Sequence, residues 1–112
     1  MARDDFPGAF EQMVLLAVAR LEGEGYGVTV RREIEARTGR SVATGAVYAT
    51  LERLEEKGLV SSREGEPTPQ RGGRAKRHFR LEAEGVRALE HARTTMDRLW
   101  EGVDFRPEGG RA

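Results

Sequence analysis

Five Lys or Arg side chains and no carboxylate fall between Gln70 and Leu81, in the run Q-R-G-G-R-A-K-R-H-F-R-L. Cations packed this closely are suited to neutralising phosphate, which arginine grips in bidentate fashion. The chain as a whole carries 19 Lys and Arg against 19 Asp and Glu, so the concentration is local. Arg71, Arg74, Lys76 and Arg77 are expected at or beside the tip of a hairpin, where Gly72 and Gly73 let the backbone turn tightly or approach a groove. A solvated basic loop has the same composition. The lack of any acid in the run favours phosphate binding, with arginine also suited to a narrow minor groove. Arg80, further along the strand, is expected to pair with a nearby carboxylate.

Other chemistries have little to stand on. There is no cysteine, which removes disulfides, thiolate metal sites and cysteine nucleophiles. His78 and His91 lie on different elements without a matching carboxylate pattern, so neither a metal site nor an acid–base pair is expected. No Ser/His/Asp set or paired carboxylates suggest an enzyme, and no cofactor is implied. Gly23, Gly25 and Gly27 do not form a dinucleotide fingerprint, for no strand of a βαβ unit precedes them. No stretch approaches the roughly 18 apolar residues of a membrane span, and the amino terminus lacks an apolar signal core. A soluble cytoplasmic protein of one domain is the expectation, its core small enough to be completed by dimerisation.

The elements that must position the basic run can be read from periodicity. Phe10, Val14, Ala17, Val18 and Leu21 recur at helical spacing from Ala9 to Leu21. A second helix is expected from about Val28 to Arg37, with Val30 and Ile34 inward and Gly39 as its C-cap signal. A third begins near Thr44, with Val47, Leu51 and Leu54 as a buried stripe, and stops at Gly58. Leu59 to Glu64 and Ala75 to Leu81 read as two strands around a turn-rich segment. A last helix is expected from about Ala83 to Val103, with Leu89, Ala92, Met96, Leu99 and Val103 spaced as a coiled-coil seam. A flexible tail follows.

This order is that of a winged helix-turn-helix, mainly α with a small β-hairpin, plus a C-terminal dimerisation helix. The third helix would enter the major groove, its exposed N-terminal residues reaching base edges. Thr44, Gly45, Ala46, Tyr48 and Thr50 are the candidates there. Arg40 and Ser41 precede them in the turn, and Tyr26 either packs or touches a phosphate. The expected boundaries are 6–82 for the winged domain, 83–104 for the dimerisation helix and 105–112 for the tail.

At these residues the chain resembles the PadR family of transcriptional regulators, in its short form with one C-terminal helix. The resemblance is carried by Gly25-Tyr26-Gly27, by Gly45-Ala46-Val47-Tyr48-Ala49-Thr50-Leu51 with Arg53-Leu54-Glu55 and Gly58-Leu59-Val60, and by Gly72-Gly73-Arg74, Phe79-Arg80-Leu81 and Gly85. It implies a homodimer on a pseudo-palindromic operator in double-stranded DNA, usually repressing, with Tyr48 and Arg74 at the DNA. It also implies that the last and first helices form the dimer, through Phe10, Val14, Leu89, Ala92, Met96, Leu99, Trp100 and Val103. Thr44 stands where the family often has proline, Glu82 where threonine commonly caps the last helix, and Phe79 where tyrosine is frequent. Trp100 and Phe105 are candidates to stack on a small aromatic effector, as dimer-cleft aromatics do in some drug-responsive relatives. A protein-binding winged domain is the remaining alternative.

Overall fold

The computed structural model describes residues 6–65 and 76–105. Arg71, Gly72, Gly73 and Arg74 lie outside the described residues, as does the end of the tail.

Three helices enclose most of the core. Helix α1 (Ala9–Leu21) buries Val14, Leu15, Ala17 and Val18. Helix α2 (Gly27–Thr38) contributes Val30 and Ile34, and α3 (Thr44–Glu56) contributes Val47, Leu51 and Leu54. Each helix ends where the backbone turns left-handed. Gly39 has φ 73° and donates to the Glu35 carbonyl at 2.9 Å. Gly58 has φ 79°, and the Leu59 N–H reaches back to the Leu54 carbonyl at 3.0 Å. That six-to-one bond is a Schellman stop, with Leu59 folded into the core behind it.

Strands β1 (Val60–Glu64) and β2 (Arg77–Leu81) pair antiparallel, from Val60 opposite Leu81 to Glu64 opposite Arg77. Gly25 adds a one-residue bridge to the sheet, its carbonyl accepting from the Phe79 N–H at 2.8 Å. This short third edge holds the hairpin against the turn between α1 and α2, and Phe79 is buried there.

Helix α4 (Ala83–Trp100) starts on the hairpin, the Glu82 N–H bonding the Leu59 carbonyl at 2.9 Å. Gly85 is needed at that junction: a Cβ there would sit 2.3 Å from the same carbonyl oxygen. The helix stops three residues short of the expected Val103. Gly102 takes φ 79°, and the Val103 N–H turns back to the Trp100 carbonyl at 2.9 Å. Val103 is therefore not a helical seam position. Phe105 is folded edge-on against Trp100, ring centroids 6.2 Å apart.

The seam needs two further corrections. Val14 and Ala92 are both fully buried within the protomer, Val14 in the three-helix core and Ala92 on α4. Neither presents surface to a second copy. Phe10 and Leu89 are half-buried against the core. What α4 leaves exposed is Val86, Met96, Leu99 and Trp100, continued by Leu16 of α1. A groove of about 580 Å³ runs between α1 and α4, lined by Leu16, Leu89, Met96 and Trp100 among others.

Candidate nucleic-acid interface

One face of α3 is exposed from its first residue. Thr44, Gly45, Ala46, Tyr48 and Ala49 are open to solvent, while Val47, Leu51 and Leu54 are covered. Thr50 belongs with the second set. It is 2 % exposed, and its hydroxyl accepts from Arg53 at 3.3 Å. Three residues after Val47 it lies on the inner face of the helix, so it does not face bases as expected.

The helix opens without a side-chain cap on Ala43 and without an acid in its first turn. Its unpaired N–H groups and the positive end of its dipole therefore point outward, an arrangement that favours anions. Short ties fix the turn before it. Glu35 accepts from Arg31 at 2.9 Å and from the Val42 N–H at 3.0 Å. Arg40 and Ser41 are exposed beside this turn.

Tyr48 is set by a glycine. A Cβ on Gly27 would fall 2.1 Å from Tyr48 Cζ and 2.5 Å from its hydroxyl, so the ring lies directly on the α2 backbone. Tyr26, next in the chain, meets His78 edge-on at 5.5 Å and carries Lys76 Nζ over its face at 5.1 Å. The base of the hairpin is thus joined to the start of α2 by a small cationic and aromatic stack. Of the two roles considered for Tyr26, the structure shows the packing one.

The expected phosphate binders divide by what already holds them. Arg77 donates to Glu55 at 2.5 Å and to the Ser62 hydroxyl at 2.9 Å. Arg80 lies 3.8 Å from Glu82, the carboxylate pairing read from the sequence. On β1, Arg63 is held by the Gly23 carbonyl at 3.1 Å and by Glu24 at 3.5 Å. Lys76 and Arg40 have no carboxylate partner among the described residues.

One more exposed cation, Arg32, lies on α2 opposite the face of Val30 and Ile34, with no carboxylate partner among the described residues. Helical spacing alone does not single it out, because Glu35 lies three residues on from Arg32 and four from Arg31, and it is Arg31 that takes it.

Two carboxylates, one on α1 and one on α2, are clamped by cations. Burial pushes the Glu11 carboxyl up. The Arg53 hydrogen bond, the charge and hydrogen bond of Lys57, and the Gly8 N–H outweigh it and hold the group below its ordinary value. The distances are 3.2 Å to Arg53 and 3.4 Å to Lys57, so α1 is tied to the outer side of α3. Hydrogen bonds from Arg37 and Arg20 likewise hold Glu33 low. Among the described residues no group of His, Asp or Glu is arranged to hold a metal ion, and no helix is long and apolar enough to cross a membrane.

The model of the transcriptional regulator PadR-like family matches residues 15–91. A PadR-like transcription factor from Bacteroides fragilis superposes with TM-score 0.70 at 20 % identity, over 84 % of this chain and 85 % of that one. A PadR family transcription regulator from hypervirulent Clostridium difficile gives 0.66 at 20 % identity, over 83 % and 95 %. RosR of H. salinarum gives 0.65 at 26 % identity, over 96 % and 88 %. No curated protein sequence matches.

Proposed function

The chain belongs to the PadR-like family of transcriptional regulators, a DNA-binding regulator and not an enzyme, and we propose that it acts as a homodimeric repressor on a pseudo-palindromic operator. The observation that carries this reading is the start of α3: uncapped, free of acids, and presenting Thr44, Ala46 and Tyr48 from a rigid base. Side chains in that position reach base edges when the helix lies in the major groove. Arg40 and Lys76 supply cations near it, Arg32 on α2 is a further cation with no carboxylate partner among the described residues, and Arg71 and Arg74 belong to the same basic run of sequence as Lys76. These hold the backbone and position the helix without specifying sequence.

The second copy is assigned to the exposed apolar strip of Met96, Leu99, Trp100 and Leu16. A strip of this kind in a chain with 34 % charged residues is costly to leave in water. Helix α4 is 18 residues long, a span of roughly 27 Å at about 1.5 Å per residue. That suits two recognition helices on half-sites one duplex turn, roughly 34–36 Å, apart. Occupying such a site excludes other proteins from it, which is the basis for repression.

Selecting bound duplexes from a random pool tests the reading. The expected product is an inverted repeat of that spacing, with affinity falling on a log–log salt plot at a slope of roughly −5 to −7 for ~3–4 phosphates per protomer. Recovery of no preferred sequence, or a salt-insensitive complex, would overturn it. A second reading, an aromatic effector, draws on the exposed Trp100 and Phe105 beside a 260 Å³ recess. Quenching of Trp100 fluorescence by aromatic compounds, with release of the duplex, tests that.

A further inference from the structure

Arg77 sits in the basic run, yet one guanidinium nitrogen, Nη2, is already committed to the protein. It donates to Glu55 Oε1 at 2.5 Å and to Ser62 Oγ at 2.9 Å, and the Ser62 hydroxyl donates to Glu55 Oε2 at 2.7 Å. The three side chains close a ring in which both carboxylate oxygens of Glu55 are used. Each corner belongs to a different element: the last turn of α3, the middle of β1 and the first residue of β2. Arg77 also lies over the Phe79 ring, 5.3 Å from its centroid, so the guanidinium is held on a second side. Among the described residues these are the side-chain hydrogen bonds that join α3 to the hairpin.

We propose that Glu55, Ser62 and Arg77 form a strut that sets the angle between the recognition helix and the wing, with Arg77 a positioning residue and not a phosphate ligand. The proposal rests on the DNA-reading function above. Both hydrogen bonds of Arg77 leave from Nη2, and a phosphate that drew Arg77 out of the ring would leave the half-buried Glu55 carboxylate with the Ser62 hydroxyl alone, a negative charge beside the DNA backbone. The chain between α3 and β1 is only Lys57-Gly58-Leu59, so the hairpin's direction is decided at this base.

The two roles for Arg77 predict opposite signs at Glu55. Glu55→Gln removes a negative charge near DNA. If Arg77 were a masked phosphate ligand, that change would free it and tighten binding. If the strut matters, the same change weakens binding to the selected duplex despite the favourable change in charge.

The experiment titrates the full chain and its Glu55→Gln, Arg77→Gln and double variants with the selected duplex and a scrambled one, alongside thermal unfolding. The strut predicts that each single variant loses about ten-fold in affinity for the selected duplex. It also predicts that the double variant is no weaker than the worse single, and that melting midpoints and scrambled-duplex affinity hardly change. Ser62→Ala, which keeps both charges, should show a smaller loss in the same direction. Tightening or no change in Glu55→Gln with weakening in Arg77→Gln would make Arg77 a phosphate ligand and overturn the proposal. Unchanged affinity in both variants, or losses that track a fall in melting midpoint, would overturn it equally. A native protein that selects no duplex would remove the DNA-reading premise and the strut with it.

Discussion

Gly27→Ala isolates the seat of Tyr48 from the rest of the fold. The new Cβ would lie 2.1 Å from Tyr48 Cζ, against about 3.4 Å for ordinary contact, so the ring tip must retreat by about 1.3 Å. The backbone does not resist the change, because Gly27 is not among the positive-φ glycines and opens a helix. There alanine is favoured over glycine by up to ~0.5–1 kcal/mol. Nor is the ring locked: Tyr48 is 43 % exposed and can swing outward. The contact it gives up is on the order of one buried CH2 group, worth about 0.8 kcal/mol. The two terms nearly cancel, and the melting midpoint should stay within ~4 °C of the native value.

DNA binding has no such compensation. A hydrogen bond tolerates only a few tenths of an ångström, so a hydroxyl displaced by more than 1 Å loses its partner, at about ten-fold in affinity. The measurement is a double-mutant cycle on the selected duplex, combining Gly27→Ala with Tyr48→Ala. Gly27→Ala should weaken the native protein about ten-fold yet leave the Tyr48→Ala protein unchanged, since without the ring there is nothing to displace. A Gly27→Ala protein that binds as the native one does, or equal losses in both backgrounds, would refute the assignment of Tyr48 to the interface.

Three other outcomes follow from the packing. The folded Glu11 carboxyl titrates below its unfolded value. Its stabilisation is therefore complete above the ordinary carboxylate pKa of ~4.3 and is lost as the pH falls through the folded value. Glu11→Gln should lower the midpoint at neutral pH and flatten that acid limb; an unaltered limb would show that the tie contributes nothing. Gly85→Ala places Cβ 2.3 Å from the Leu59 carbonyl oxygen, where backbone cannot yield. It should destabilise by ~1–3 kcal/mol in urea titration despite the gain in helix propensity, and a raised midpoint would contradict the tight junction. Met96→Lys with Leu99→Lys should give a folded monomer that binds DNA poorly, and a dimer persisting in sedimentation would exclude this strip as the interface.

How much of this could be read beforehand depended on what each signal measures. Helices α1 and α3 begin at Ala9 and Thr44, as the apolar period placed them, because in both the same side chains define the stripe and build the core. The end of α4 was misplaced for the converse reason. The apolar spacing runs through to Val103, but periodicity records side-chain type and not backbone angle, and the left-handed Gly102 ends the helix first. Val14 and Ala92 show a second limit: an apolar residue facing its own core looks the same as one facing a partner. Thr50 lies inside because it follows Val47 by three residues, which puts both on one helical face. The Gly25–Phe79 bridge and the seat of Tyr48 on Gly27 left only glycines as a trace, since both depend on backbones distant in sequence coming together.

Charge shows the same dependence on three-dimensional neighbours and leads to one more test. Equal counts of acids and bases suggest no attraction to DNA, yet the pairing is uneven. Isolated surface ion pairs add little stability, about 0–1 kcal/mol, so their main effect here is to remove particular cations from the set free to meet phosphate. Arg63 is held by Glu24 and by the Gly23 carbonyl. Arg40, beside the open end of α3, is not paired among the described residues. Arg40→Ala should therefore weaken selected and scrambled duplexes alike and make the salt slope shallower by ~0.9 for each protomer that loses a phosphate contact. Arg63→Ala removes the same formal charge and should change neither slope nor affinity appreciably. If the two variants behaved alike, net charge alone would govern binding, and the division between held and free cations would have no bearing on it.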